Sequence, residues 1–216
     1  MKSGMKGPVF PGFEDWEPCY LRILADLGFD RAKDEEAARL LAALLHRDDL
    51  AALAGVIRGK TVTVCGNGPN LTGELDRIRG AVIAADGAAN RLLAEGIRPA
   101  AIVTDLDGAT EAFVEMNRAG TVIVVHAHGD NRDLLRFWVP LFPGPVVGTT
   151  QARPFGRIHN FGGFSDGDRA VFLAIALEAA EVLLAGFYLD DPSVDPVKRK
   201  KLLWARRLLR LAGYDL

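Results

Sequence analysis

Apolar positions change their rhythm once along this chain. Up to about residue 60 they recur every three or four residues, as Leu40, Leu41, Leu44 and Leu45 do. That period predicts helices over Glu17–Leu27, Asp34–His46 and Asp48–Ile57. From Lys60 onward they come in short β-branched runs: Thr61–Cys65, Ala81–Ala85, Ala101–Thr104 and Thr121–Val125. The runs end at Gly66, Asp86, Asp105 and His126. About fifteen residues separate one run from the next, room for a crossover helix and too much for a hairpin, so parallel strands are expected. Runs that are apolar throughout, rather than alternating, imply a sheet covered on both faces. Further strands are expected near Pro145–Val147, Arg157–Phe161 and Glu181–Tyr188, and helices over Asn131–Val139, Asp168–Leu177 and Asp195–Leu211. The fold class is therefore α/β: a mostly parallel, Rossmann-like three-layer sheet (59–216) with helices on both faces, preceded by a small helical N-terminal unit (1–58).

Composition narrows the function classes. The chain has 216 residues and a formal net charge of −2, which gives no basic footprint for a nucleic-acid partner. A chain of this mass buries about 70% of its unfolded surface, enough for one good core. Val171–Leu189 is the longest apolar run, but Glu178 and Glu181 stand inside it, so a buried helix and strand are expected there rather than a membrane span. Cys19 and Cys65 match no paired metal or redox spacing, and residues 1–16 hold no apolar stretch of signal-peptide type. Reduced thiols and a cytoplasmic location are the expectation. The apolar terminal helices are compatible with a homodimer.

In an open parallel sheet ligands bind beyond the carboxyl ends of the strands, and those ends are polar and acidic here. The first turn, Cys65-Gly66-Asn67-Gly68-Pro69-Asn70, is glycine-rich with Pro69 suited to the first turn of a following helix. Its backbone N–H groups would suit a phosphate; a plain tight turn accounts for it equally. Ala85-Asp86-Gly87 and Thr104-Asp105-Leu106-Asp107-Gly108 end the next two runs. Adjacent strands lie ~4.8 Å apart, so Asp86, Asp105 and Asp107 would converge. Carboxylates that close call for a cation, and a hard divalent ion such as Mg²⁺ takes such oxygen ligands together with substrate phosphates. Helix capping is the alternative, though it does not explain Asp105 and Asp107 together.

His126-Ala127-His128-Gly129-Asp130-Asn131 resembles the opening of a zinc-hydrolase motif of the metallo-β-lactamase type, but Asn131 stands where that motif has a histidine. A pair of polar residues on a solvated turn is the plainer account. Ser165-Asp166-Gly167-Asp168-Arg169 opens an apolar helix, where two aspartates and an arginine suit a metal and a polyphosphate. A cap from Ser165 or Asp166 with a solvated Arg169 is the alternative. Thr149, Thr150 and Gln151 follow another strand and offer groups that could orient a polar ring. The basic run Lys198–Lys201 with Arg206, Arg207 and Arg210 is expected to be a solvated helical face.

Taken together and in order, Gly66-Asn67-Gly68-Pro69, Asp86-Gly87-Ala88, Thr104-Asp105-Leu106-Asp107-Gly108, His126 to Asn131, Gly148-Thr149-Thr150-Gln151 and Gly163 to Ala170 resemble the archaeal 6-hydroxymethyl-7,8-dihydropterin pyrophosphokinase family. The resemblance spans about residues 55–212, and the two aspartate segments also look like those of thiamine pyrophosphokinases. It implies transfer of the diphosphate of ATP to the hydroxymethyl group of a reduced pterin, with AMP released. On that resemblance Asp86, Asp105 and Asp107 are the metal group, with Asp166 and Asp168 as further candidates. Gly66, Asn67, Gly68, Pro69, Gly87, Thr149, Thr150, Gln151 and Arg169 would bind the nucleotide. Asp130 or a metal-bound aspartate would accept the alcohol proton, with His126 and His128 nearby. Two other readings share these residues: a sugar-nucleotide enzyme using Asp105-Leu106-Asp107 as an Asp-x-Asp motif, and a nucleotide-sensing module without turnover.

Overall fold

The apolar runs become seven strands, all parallel: β1 (Thr61–Cys65), β2 (Ala81–Ala85), β3 (Ala101–Thr104), β4 (Val122–Ala127), β5 (Val146–Thr150), β6 (Ile158–His159) and β7 (Glu181–Ala185). This computed structural model describes residues 9–216, so the first eight residues of the expected N-terminal unit lie outside it. The helices are α1 (Phe13–Leu27), α2 (Arg31–Leu44), α3 (Leu50–Ile57), α4 (Ala88–Ala94), α5 (Glu111–Arg118), α6 (Arg132–Trp138), α7 (Asp166–Ala176) and α8 (Pro196–Leu211). No described helix is long and apolar enough to cross a membrane.

Strand order is β6-β5-β4-β3-β2-β1-β7. The chain steps outward from β1 to β6 and then crosses by α7 to the far side of β1. The order reverses between β1 and β7, and that reversal opens the crevice in which α/β proteins bind ligands. The side chains of each strand part by alternation. Val62, Val64, Ile83, Val103 and Val124 face one core with α1, α3, α7 and α8. Cys65, Ala84, Ile102, Ile123 and Val125 face the other with α2, α4, α5 and α6. Each core is thus a sheet face plus a helix layer, and the N-terminal helices supply side chains to both: Trp16, Tyr20 and Leu53 to the first, Ala37, Ala38 and Leu41 to the second.

Three expectations shift in ways that matter for the site. β4 runs on to Ala127 and β5 to Thr150, because the two strands keep pairing through His126–Thr149 and Ala127–Thr150. His126, Thr149 and Thr150 are therefore buried strand residues, not turn residues. β7 stops at Ala185, where Gly186 turns at φ +71°. Pro69 leads into a short 3-10 stretch, Leu71–Arg77, in place of the expected α-helix.

Candidate active site

A cavity of about 550 Å³ opens over the carboxyl ends of β1, β2, β3 and β4. The N-terminus of α7 forms part of its floor, with Asp166 and Arg169 lining it. Asp86, Asp105 and Asp166 each offer an oxygen, and the three oxygens lie within 4.8 Å of one another. Three chain segments far apart in sequence thus build one group of hard donors.

Local chemistry fixes each member. Asp86 sits at φ +43° directly after β2, and its Oδ1 accepts from the Thr104 hydroxyl at 2.6 Å and the Gly108 N–H at 3.2 Å. A side chain at 108 would put its Cβ 2.1 Å from Asp86 Oδ2, so this loop needs glycine there. The Thr104 hydroxyl also accepts from the Leu106 N–H, holding the buried Leu106 at φ +74°. Asp105 Oδ1 accepts from the Asp107 N–H at 3.2 Å, and Oδ2 lies 3.4 Å from His128 Nε2. The Asp130 N–H donates to His128 Nδ1, so Nε2 is the nitrogen left to carry the proton toward Asp105. Asn131 braces this corner: its amide donates to the backbone carbonyls of Asp105 and His126, and its oxygen accepts from the His128 N–H. The asparagine that departs from the zinc pattern thus ties the ends of β3 and β4 together.

The ionisation pattern reports crowded negative charge. Burial raises the carboxyls of Asp86 and Asp166 above the ordinary range, and the charge of Asp105 adds to this in both. At Asp105 burial also pushes upward, but the His128 bond, the Arg169 charge and the Asp107 N–H outweigh it and hold the group at about 2. One carboxylate is therefore firmly ionised while two strain against ionisation. Added positive charge relieves such a group, and hard oxygen donors of this kind fit Mg²⁺.

Several expected residues take other places. Asp107 lines the cavity but is exposed and outside the three-carboxylate group. The Asp105-Leu106-Asp107 segment thus offers one carboxylate to the group, not the pair expected. Asp168 is fully buried behind the site, where it accepts from the N–H groups of Phe164 and Ser165 and from the Ser165 hydroxyl. It completes the capping box of α7 with Ser165 and lies outside the three-carboxylate group. Asp86 and Asp107 cap nothing: Gly87 and Thr110 stand at the N-caps of α4 and α5. The Gly66 and Gly68 N–H groups already donate to the carbonyls of Ala185 and Gly186, both at 2.8 Å, so these two donors are committed within the fold. These glycines let the chain ends beyond β1 and β7 lie close together, since a Cβ at 66 would lie 2.7 Å from Gly186 O. Asn67, Gly68 and Pro69 do line the cavity, while Gly87 lies against the Asn67 side chain.

His126 does not reach this cavity. It lies with Thr149 and Thr150 around a separate void, so these three residues, expected at the site, line a different space from the carboxylate group. The imidazoles of His126 and His128 lie 6.3 Å apart, but only His128 lines the main cavity, and neither belongs to the three-carboxylate group found among the described residues. Arg169 is buried rather than solvated; its Nη1 donates to Asp166 at 3.1 Å and its Nη2 to Gln151 at 3.4 Å. Gln151 in turn donates to Asp34 of α2 at 2.8 Å.

Asp34 was not among the expected residues. Its carboxylate also accepts from the Tyr20 hydroxyl at 2.7 Å and the Gly129 N–H at 2.8 Å, and it lines the cavity. The sequence does carry a signal: Asp34 stands on the same helical face as Ala37, Ala38 and Leu41, an ionisable residue in an apolar stripe. The basic run of α8 is largely exposed, as expected, and Lys198 and Lys201 also line the cavity.

Comparisons with known proteins identify the family. Residues 36–192 match the model of the family described as 6-hydroxymethylpterin diphosphokinase MptE-like. A 6-hydroxymethyl-7,8-dihydropterin pyrophosphokinase of Methanothermobacter thermautotrophicus is 45% identical over 214 residues, covering 90% of this chain and 92% of that protein. Proteins with the same description from Pyrococcus furiosus and Methanocaldococcus jannaschii are 42% and 38% identical, each covering 91% of this chain and 92% and 93% of their own length. The MAf glycosyltransferase of Magnetospirillum magneticum AMB-1 shares the fold at a TM-score of 0.51 and 19% identity, over 87% of this chain and 35% of that one. At 38–45% identity across nine-tenths of its length, the chain belongs to the 6-hydroxymethylpterin diphosphokinase MptE-like family.

Proposed function

We propose that this protein transfers the diphosphate of ATP to the hydroxymethyl group of 6-hydroxymethyl-7,8-dihydropterin and releases AMP. The observation that carries the reading is the convergence of Asp86, Asp105 and Asp166 at the floor of a cavity large enough for two small substrates. In the reaction the alcohol oxygen forms a bond to the β-phosphorus. The bond from that phosphorus to the α–β bridging oxygen breaks, and its electron pair leaves with AMP. Catalysis of this kind is chiefly positioning and charge neutralisation.

Asp86, Asp105 and Asp166 would hold Mg²⁺, which when bound neutralises the polyphosphate charge. Arg169 adds a fixed cation beside Asp166, oriented by Gln151. Lys198 and Lys201 face the same cavity and would draw the nucleotide in. His128 orients Asp105 and keeps it ionised. Asp130, exposed on the cavity wall and outside the metal group, would accept the alcohol proton. The test is AMP formation from ATP and Mg²⁺ with 6-hydroxymethyl-7,8-dihydropterin or thiamine as acceptor. AMP that appears only with the pterin supports the reading; AMP with thiamine alone, or with neither, overturns it.

A further inference from the structure

Two polar atoms beneath the active site are buried without a hydrogen-bond partner among the described residues: Nε2 of His126 and Nε of Arg169. Both side chains line the same small cavity, about 10 Å³, walled by Val103, Val124, Phe161 and Leu173. That is about the room one water needs, and buried water is found where polar groups converge in such a space. Orphaned buried donors and acceptors are rare enough that two in one cavity call for a common explanation.

The protonation of His126 follows from its neighbour. The Thr149 hydroxyl has one proton, and it donates that proton to the Val125 carbonyl at 3.0 Å. Thr149 Oγ1 also lies 3.1 Å from His126 Nδ1, so at that contact the oxygen accepts and Nδ1 carries the hydrogen. Nε2 is then a bare lone pair facing the cavity. Arg169 Nε carries a hydrogen and can only donate. One acceptor and one donor therefore belong to residues that line a space of water size, and Thr150 lines it too.

We propose that one water occupies this cavity, accepting from Arg169 Nε–H and donating to His126 Nε2, and that His126 is thereby a positioning residue for the Arg169 guanidinium. Arg169 is already held at Nη1 by Asp166 and at Nη2 by Gln151. A third anchor at Nε fixes the plane of the guanidinium from behind. The face toward the substrate cavity is then set before a polyphosphate arrives. Burial, helped by the charges of Arg169 and His128, holds the imidazole well below its ordinary pKa, in keeping with an uncharged acceptor beside a cation. The functional half of the inference rests on the reading of Arg169 as a phosphate-binding group; the water and the tautomer do not.

The test combines nitrogen NMR, crystallography and kinetics on the full chain. The His126 resonances should report a proton on Nδ1 and none on Nε2; a proton on Nε2 overturns the proposal. A crystal structure should show one ordered water between Arg169 Nε and His126 Nε2, and a dry cavity with Arg169 in its present position overturns it. His126→Met removes the acceptor and should lower kcat ~10-fold with an unchanged folded fraction. His126→Gln, whose amide oxygen reaches about as far as Nε2, should restore most of that loss. Should His126→Met fail to fold, Thr149→Val supplies the second arm, because it removes the acceptor that keeps the proton on Nδ1 and should also lower kcat. Folded variants of both kinds that match the parent in kcat overturn the positioning role. If the parent forms no AMP with the pterin, the functional reading fails separately, and the NMR and crystal readouts still decide the water and the tautomer.

Discussion

Asp105 and Asp107 stand two residues apart on the loop after β3; Asp166 and Asp168 stand two residues apart at the start of α7. In each pair the first aspartate joins the three-carboxylate group and the second does not, for different reasons. On the loop, buried Leu106 at positive φ turns Asp105 toward the cluster and leaves Asp107 exposed on the cavity wall. On the helix, 3.6 residues per turn puts residues two apart about 200° around the axis, so when Asp166 faces the cavity Asp168 must face away. There it finds the free N–H groups of its own helix start. The same spacing thus yields a cluster carboxylate with an exposed neighbour in one place and a cluster carboxylate with a cap in the other.

This contrast can be broken most sharply by neutralising the two inner aspartates. Asp105→Asn or Asp166→Asn should each lower Mg²⁺-dependent AMP formation by ~10³-fold, because on the proposed function each removes a charge that would hold the metal and its phosphates. Turnover at the parent rate in either variant would show that the cluster is not the catalytic centre.

Next in size is the effect of the outer helical residue on stability. Asp168→Ala strips the acceptor from two N–H groups and a hydroxyl at a buried helix start, and should cost about 3 kcal/mol in urea denaturation. Asp166→Asn should cost little or even stabilise the metal-free protein, since it removes a charge that burial and its neighbours oppose. Equal losses from both would erase the distinction between cap and ligand.

The pH dependence of metal-free stability has a definite sign. Asp86 and Asp166 have raised folded pKa values, so the stability they confer is complete below the ordinary carboxyl range and is lost as pH rises through the raised values. Asp105, held at about 2, contributes in the opposite sense: its stability is present above the ordinary value and is lost as pH falls toward 2. Mg²⁺ should therefore raise Tm more at about pH 8 than at about pH 5, read by thermal scans with and without the ion. Asp166→Asn should shrink that difference.

The smallest effect is expected at the outer loop residue. Asp107→Asn keeps the N–H that donates to Asp105 and removes only an exposed charge, so AMP formation should fall by less than about tenfold. A loss as large as that of Asp105→Asn would place Asp107 within the metal group when substrate is bound.

Much of the site could be read in advance because strand identity is local. The first three strands fall on the expected residues, and Asp86 and Asp105 follow the second and third of them directly. The reading failed where direction, not position, mattered. His126 and Thr149 are buried because β4 and β5 keep pairing past their expected ends, and the length of a pairing depends on the partner strand as much as on the strand itself. Gly66 and Gly68 resemble a phosphate loop in sequence, yet their N–H groups are taken by the end of β7, more than a hundred residues away. Asp34 joined the site only because α2 packs over β4 and β5 and brings its carboxylate to Gln151.

The sequence alone determined the parallel sheet, the order of acidic strand ends and the family likeness, since apolar runs, crossover lengths and turn chemistry are properties of short segments. Tertiary structure alone decided which aspartates converge, which histidine lines the main cavity and which is walled off, and how the N-terminal helices reach the site. Those outcomes depend on helix phase, on strand pairing and on contacts between distant segments, and a short segment encodes none of them by itself.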